Sequence, residues 1–413
     1  MIKQFEQNSY NIVPFDERAD IYVINTCTVT NMSDKKSRQY IRRARKKNKN
    51  AIIIATGCYV QVAKDEIRKI EGIDIIIGNN EKNKIIEIIE EYRKNNLPIE
   101  QVSDIMKQTD FLDLGILTRE DKTRAVIKIQ DGCDKYCTYC IIPFARGRVR
   151  SRNEDSIIAE AKALVASGVK EIVITGIHIA SYGKDLKDTN LCSLLIKLNK
   201  IEGLSRIRLG SLEPTILTNE FVNKIKNLKK LCNHFHLSLQ SGCNETLKRM
   251  NRHYTVEEFK NVVERLRKAF PEVMITTDII VGFPGETEEE FKKTYYYLKN
   301  IKFYKMHVFP YSKREGTKAS KMQKQISQVV KEQRSKKLIE LSNENEKEYL
   351  KEYIGKNLDV LFEKKEGEFI KGHTSNYLEV KVENKQTKEN EIKTVHIIKR
   401  EKMELIGEIV TKL

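Results

Sequence analysis

Apolar positions fall into three successive patterns along the 413 residues. Over roughly 1–103, short β-branched runs alternate with stretches in which apolar residues return every three or four positions. The runs Ile21–Thr26, Ala51–Thr56 and Ile73–Gly78 predict strands. A basic helix near 34–47 and a second helix over 81–95 complete a small α/β unit, and Asn95-Asn96-Leu97-Pro98 ends the second helix. A linker follows to about 118.

From about 119 to 349 the period switches regularly between 2 and 3.6. Strands are expected at Arg124–Gln130, Glu171–Gly176, Arg206–Leu212, His234–Gln240, Thr276–Gly282 and Lys305–Tyr311. Helical patterns lie between them near 154–167, 190–200, 218–230, 255–269 and 287–299, and a sixth fills 325–349. Repeated strand–helix units predict a parallel sheet with right-handed crossovers. Six units suggest an open (β/α)6 partial barrel related to the eight-stranded one. From about 350 to 413 the chain reads as short strands with turns: Leu358–Glu363, Glu368–Thr374, Tyr377–Val382, Thr394–Lys399 and Glu404–Val410. That pattern suggests a small β-barrel. At the other end, Ile2, Phe5 and Tyr10 read as the tail of an amphipathic helix with no cap before it, which predicts that residues preceding Met1 are missing.

Charge changes the picture modestly. Lys and Arg number 75 against 58 Asp and Glu, a formal +17, which favours an anionic partner such as nucleic acid. Lys-rich usage through the whole chain is the competing explanation. From Lys35 to Lys49, nine of fifteen residues are basic and none is acidic. Lys35, Lys36, Arg38, Arg42 and Arg43 are candidate contacts to RNA phosphates, against the alternative of a solvated helix face. Arg146, Arg148, Arg150 and Arg152 alternate, and in extended chain alternate residues share a face. They suit a phosphate backbone or a carboxylate. No apolar run spans a membrane and the N-terminus lacks a signal peptide's apolar region, so a cytoplasmic protein is expected. Eight cysteines there read as metal ligands or buried thiols rather than disulfides.

Three of those cysteines carry the chemistry. Cys133, Cys137 and Cys140 have the spacing C-x3-C-x2-C directly after the first barrel strand. Tetrahedral zinc wants four protein ligands, usually as paired knuckles. Three thiolates on a cubane cluster instead leave one iron open to a small molecule. A zinc site that borrows a distant ligand is the alternative. Tyr136 and Tyr139 can shield the cluster from water. Other site residues belong at the carboxyl ends of the strands: Thr175 and Gly176, Ser211 and Glu213, Gln240, Asp278, Val281 and Gly282, and His307. Glu213 suits a ribose hydroxyl or an ammonium group, and Gly282 and Gly285 suit close approach of a base. Cys27 and Cys58 each follow a strand of the first block, at the edge where ligands bind, although two cysteines taken alone favour the reading as core thiols. Cys192 and Cys232 read as core, and His178, His234 and His236 lack metal-site spacing.

The cysteine triplet matches radical S-adenosylmethionine enzymes, and the whole chain resembles the methylthiotransferase family within that superfamily. The resemblance is carried by Asn25-Thr-Cys-Thr-Val-Thr-Asn31, Cys140-Ile-Ile-Pro-Phe-Ala-Arg146-Gly147 and His307-Val-Phe-Pro-Tyr-Ser-Lys313. These segments are most similar to the branch acting on N6-threonylcarbamoyladenosine in tRNA. It implies a flavodoxin-like N-terminal cluster domain, a radical core and a small OB-like β-barrel called TRAM. It also implies S-adenosylmethionine, two 4Fe–4S clusters, an external donor of the flavodoxin or ferredoxin type, and a monomer. The first cluster falls on Cys133, Cys137 and Cys140. The second falls on Cys27 and Cys58 and, in the family, on a third cysteine near the protein start that no residue here matches. No catalytic residue is implied beyond the clusters. In the family one cofactor molecule methylates sulfur at the second cluster. Another gives the radical that takes hydrogen from the adenosine C2 position, where methylthio is then attached. Other substrates within the family are N6-isopentenyladenosine and a ribosomal-protein aspartate. A catalytically impaired RNA-binding protein is the reading from another class.

Overall fold

The computed structural model describes residues 1–113, 115, 123–384 and 387–410. It divides into two compact units, one of residues 1–115, 131–152 and 312–321, the other of 116–130, 153–311 and 322–413. The cysteine loop, expected with the barrel core, groups with the N-terminal unit, and the C-terminal strands group with the core. The expected boundary at 119 lies outside the described residues, as do 411–413.

The first unit holds strands β1 (Ile21–Thr26), β2 (Ile52–Gly57), β3 (Ile75–Ile77) and β4 (Ile99–Gln101), all parallel and in that spatial order. The sequence carries no sign of β4, because three residues are too few to establish a period. Both faces of this sheet are covered, which is why β2 reads as a continuous apolar run. Ile41 and Ala44 of helix Asn31–Lys47 pack with Tyr22, Ile53 and Tyr59. On the other side Ile54, Ile75 and Ile77 meet Ile85, Ile88 and Ile89, with Phe5 from helix Ile2–Gln7 joining them. The helix Asn31–Lys47 starts where Thr30 accepts a hydrogen bond from Ser33 N.

The second unit begins with β5 (Arg124–Asp131). After the two-residue β6 (Arg150–Ser151) of the first unit come β7 (Glu171–Gly176), β8 (Arg206–Leu209), β9 (His234–Gln240), β10 (Met274–Val281) and β11 (Lys305–Pro310). β7 pairs in parallel with β5 and β8, and β10 pairs in parallel with β9 and β11. The bridges Ile207↔Leu231 and Leu212↔Leu237 connect the two groups. The six expected strands therefore form one curled, partial barrel. Ile127, Ile174, Leu209, Leu237 and Ile279 face outward into the apolar core under the helices. Burying each such side chain contributes about 1.5–3 kcal/mol. Helices Val256–Ala269 and Glu288–Ile301 begin with reciprocal capping boxes, Thr255 with Glu258 and Thr287 with Glu290.

β12 (Asn357–Glu366), β13 (Phe369–Thr374), β14 (Glu379–Glu383), β15 (Ile392–Glu401) and β16 (Glu404–Ile409) close into a five-stranded barrel, order β12-β13-β14-β16-β15. Its turn 374–377 docks at the amino-terminal end of the partial barrel. Arg208 donates to Thr374 O (3.2 Å) and Ser375 O (3.0 Å), and to the buried Glu171 carboxylate at 2.7 Å. Tyr377 stacks between His234 and His373, centroids 5.0 and 4.8 Å away, with the Arg208 guanidinium 4.7 Å from its ring. The buried charges of Arg208 and Glu171 thus answer each other. Cys232 is buried here, and burial pushes its thiol pKa up to about 11, which suits a core thiol.

Candidate metal centre and strand-end rim

Register places the first cysteine pair. Thr26 lies opposite Gly57 at the ends of β1 and β2, so Cys27 and Cys58 are the next residues at one sheet edge. A Cβ on Gly57 would lie 2.3 Å from Thr26 O, and its φ is +107°; only glycine lets the two strand ends approach. Cys58 is buried at the start of helix Cys58–Val62, whereas Cys27 is exposed.

The cysteine triplet lies on a loop pinned at its base. Cys133 N donates to Gly147 O at 3.0 Å. Gly132, at φ +71°, passes so near Arg148 that a Cβ would clash with its carbonyl at 1.8 Å. Within the loop Cys140 N bonds Cys137 O, and Ala319 N bonds Thr138 O at 2.8 Å. Cys133, Cys137 and Cys140 are all half-buried, and none of the eight cysteines is in a disulfide. Tyr136 packs edge-on to Phe144, centroids 6.2 Å apart. Among the described residues no three His, Cys, Asp or Glu side chains converge on a single ion site. Three half-buried thiols on one loop are a donor set that a cubane cluster, which takes each thiolate on a different iron, can use.

Arg146 joins this loop to the first pair. Its Nε lies 3.1 Å from Cys58 Sγ and its other arm 3.4 Å from Asp131. Burial opposes the guanidinium charge, but Asp131 and Cys58 more than restore it, so its pKa is raised. This overturns part of the expectation for the alternating arginines. The chain is not extended there: helix Ile142–Arg146 and the turn at Gly147 (φ +72°) break the alternation. Arg150 is buried, bonding Asn80 Oδ1 and Arg146 O, and Arg152 is buried against Asp113 at 2.8 Å. Only Arg148 of the four is exposed. On the basic helix, Lys35, Lys36 and Arg42 are exposed. Arg38 instead bonds Tyr59 OH at 2.7 Å, and Arg43 pairs with Asp16. Arg314, which no sequence pattern singles out, reaches buried Asp34 and Thr28 and bonds Asn31 Oδ1 at 3.1 Å. Burial raises the Asp34 pKa against that guanidinium's pull.

The rim residues of the second unit stand at its strand ends, with different surroundings. Glu213 is 4% exposed, and its carboxylate lies 3.2 Å from both His178 Nε2 and Thr215 Oγ1 and 3.5 Å from Arg252. Sequence reasoning points to neither His178 nor Arg252 as a site residue. The usable signal for His178 is its place just after β7, not any metal-like spacing. A ligand hydroxyl or ammonium at Glu213 would share an already partnered carboxylate. Thr175 and Gly176 end β7, and Gly176 fits because Gln130 O lies 2.9 Å from where a Cβ would be. Ser211 bonds Ser238 at 2.7 Å, Asp278 lies 3.1 Å from His236 Nε2, and His307 is exposed on β11. Gln240 is buried with φ +70°. Val281 ends β10 and Gly282 follows it. Val281 is fully buried, and Gly282 N donates to Glu286 at 3.1 Å. Lys331 Cγ would meet a Cβ on Gly282 at 2.3 Å, and the φ of Gly282 is +68°, so the position is held to glycine.

Comparisons with known proteins agree with this arrangement. A relative in Bacillus subtilis, threonylcarbamoyladenosine tRNA methylthiotransferase MtaB, is 48% identical over 346 residues, covering 84% of this chain and 77% of the relative. The chain belongs to the methylthiotransferase family. A model of the radical SAM superfamily matches residues 127–298, and one described as uncharacterized protein family UPF0004 matches residues 1–78. The methylthiotransferase likeness extends to a tRNA-2-methylthio-N(6)-dimethylallyladenosine synthase of Clostridium tetani, 40% identical over 335 residues, 79% of this chain and 74% of that protein. In fold, the chain is similar to the radical S-adenosylmethionine methyltransferase TsrM of Kitasatospora setae, with TM-score 0.54 and 15% identity over 71% of this chain and 63% of that one.

Proposed function

We propose that this methylthiotransferase converts N6-threonylcarbamoyladenosine in tRNA to its 2-methylthio derivative. The observation that carries the proposal is the 48% identity to the Bacillus subtilis relative across 84% of the chain, joined to a pinned loop that presents three thiols. Cys133, Cys137 and Cys140 would hold a 4Fe–4S cluster, which when bound supplies the electron that splits S-adenosylmethionine into methionine and a 5′-deoxyadenosyl radical. Tyr136 and Phe144 cover the loop and limit water. Glu213, buried beside His178 and accepting from Thr215, is a carboxylate suited to an ammonium or a ribose hydroxyl. Cys27 and Cys58 would serve a second cluster, with Arg146 donating to Cys58 and holding the loop to that edge. Lys35, Lys36 and Arg42, with Arg148, are the exposed cations offered to tRNA phosphates.

Three functional segments follow: a flavodoxin-like cluster domain over 1–103, the radical core over 119–349 and a TRAM-type, OB-like barrel over 350–413. The reaction needs an external electron donor of the flavodoxin or ferredoxin type, and we place the enzyme in the cytoplasm as a monomer. The test is nucleoside mass spectrometry of tRNA from a strain lacking the gene. The 2-methylthio threonylcarbamoyl nucleoside should vanish, return with the wild-type gene and fail to return with Cys137→Ala. Loss of the 2-methylthio dimethylallyl nucleoside instead would move the enzyme to the branch of the Clostridium tetani relative. No change in either nucleoside would remove tRNA as the substrate.

A further inference from the structure

Residues 312–321 do more than lead from β11 toward helix Gln328–Lys351. They group with the first unit, and inside it they bond to two places. One is the loop that follows β1 and carries Cys27. Asn31 Nδ2 donates to Lys313 O at 2.9 Å, and Arg314 donates to Asn31 Oδ1, Thr28 Oγ1 and the Asp34 carboxylate. Arg314, Thr28 and Asp34 are all buried, so a buried charge pair fixes the residue next to Cys27. The other place is the loop of the cysteine triplet. Ala319 N donates to Thr138 O, between Cys137 and Cys140, at 2.8 Å. Gly316 lies so near Ile141 that a Cβ would sit 3.4 Å from its Cδ1. The stretch between these contacts is stiff. The hydroxyl of buried Thr317 donates to Arg314 O at 2.6 Å and accepts from Ser320 N at 3.3 Å, a local turn that holds Arg314 and Ala319 in one arrangement.

We infer that residues 312–321 are a brace between the two cysteine loops, with Arg314 as its positioning residue. The inference rests on the proposed function and names what keeps the two sets of thiols in register. Arg146 makes such a link on the Cys58 side, through its bond to that sulfur. The brace makes it on the Cys27 side. The proposed reaction joins a radical made at one loop to sulfur held at the other. Misplacing reacting groups by about 1 Å can cost about 100-fold in rate, so the spacing of the loops has to be fixed. A guanidinium suits this task better than an ammonium. Its planar fork of donors meets Asn31, Thr28 and Asp34 at set angles, where a point charge on a flexible stem would not.

The test is amide hydrogen exchange, read by mass spectrometry on the full chain with its cysteines reduced and before cluster reconstitution. Arg314→Gln removes the charged fork but leaves Asp34 uncompensated. Asn31→Ala removes two of the brace's bonds and keeps that ion pair. Both should speed exchange about tenfold in peptides spanning 26–34. Through the brace, they should do the same in peptides spanning 133–141, which include the Cys140 amide bonded to Cys137 O. Arg314→Lys, which keeps a charge opposite Asp34, should recover part of the protection. After reconstitution, Asn31→Ala and Arg314→Gln should form about threefold more 5′-deoxyadenosine per methylthiolated nucleoside than the wild type, because cofactor cleavage needs one loop and sulfur transfer needs both. A rise in exchange over the whole chain of Arg314→Gln reports lost folding, and Asn31→Ala then decides. If exchange rises over 26–34 while 133–141 keeps its wild-type protection, the loops are not braced and the inference is overturned. Loss of cleavage and of methylthiolation in equal proportion would leave Arg314 a stabilising residue only, and overturns its positioning role. If the wild type modifies neither tRNA nucleoside, the substrate proposal falls, while the exchange result still decides the brace.

Discussion

A single residue's role in this protein depends on what passes beside it. Gly282 shows this most sharply. Its φ of +68° and the Lys331 stem 2.3 Å from a would-be Cβ both forbid a side chain. Lys331 cannot swing away, since it is buried and its ammonium bonds Tyr311 O at 2.8 Å. Gly282→Ala should therefore destabilise the second unit by roughly 1–3 kcal/mol, combining left-handed strain with overpacking. Lys331→Ala in the same background should remove the overpacking share and leave the strain. Denaturant unfolding of the two single variants and the double variant reads the coupling. Strict additivity would show that Lys331 is not the obstacle. The place of Gly282 after a strand was legible, but the lysine packed against it comes from a helix about fifty residues further on. No local pattern announces it.

At the scale of elements, helix Asn31–Lys47 sorts its cations by face. Ser37, Ile41 and Ala44 are buried, with Asp34 on the same side. That stripe turns Lys35, Lys36 and Arg42 outward, while Arg38 and Arg45 turn back to bond Tyr59 and Asp74. Replacing Lys35, Lys36 and Arg42 together with alanine should weaken tRNA binding. It should also shrink the slope of log affinity against log salt by about 1 for each phosphate that the variant no longer neutralises. Arg38→Ala should leave that slope alone and lower the melting temperature of the protein instead. Filter binding across a salt series and a thermal melt check the two outcomes, and an unchanged slope in the triple variant would take this helix off the RNA surface. The sequence could supply the basic run, because composition is local. It could not divide the run into exposed and engaged arginines without knowing that Tyr59 and Asp74 lie alongside.

For the molecule as a whole, the docking of the C-terminal barrel introduces a pH dependence. His234 lies buried beneath Tyr377, and burial, followed by the Arg208 charge, holds its pKa well below the ordinary 6.5. It is therefore neutral in the fold at neutral pH, whereas in the unfolded chain it takes up a proton as pH falls below about 6.5. The unfolded state then binds more protons, so this contribution to stability is complete above about pH 6.5. It is lost progressively below that, at up to about 1.4 kcal/mol per pH unit, until the folded pKa is reached. Denaturant unfolding followed by circular dichroism between about pH 7.5 and 5.5, spanning the unfolded histidine pKa, should show a smaller slope for His234→Gln than for the wild type. Equal slopes would mean that His234 titrates as it would in water. The same interface predicts a severe cost for breaking Arg208 from Glu171, since an unpaired buried carboxylate costs about 3–5 kcal/mol.

What the sequence determined by itself is whatever repeats over a few residues. The alternation of β-branched runs with helical stripes marked out six core strands and the five of the small barrel. It also placed Cys27 and Cys58 after strand ends, where parallel register makes them neighbours. The spacing of Cys133, Cys137 and Cys140 named the chemistry, because three ligands in one loop need no distant partner to be recognised. Tertiary structure alone decided how the charges are used. Glu171 and Arg208, 37 residues apart, meet only because parallel strands bring their amino-terminal ends together. Arg150 and Arg152 became internal because Asn80, Arg146 O and Asp113 were there to satisfy them. A guanidinium is stable inside a protein only where an acceptor waits, and the acceptor's position is set by the packing of remote segments, not by the residues that flank the arginine.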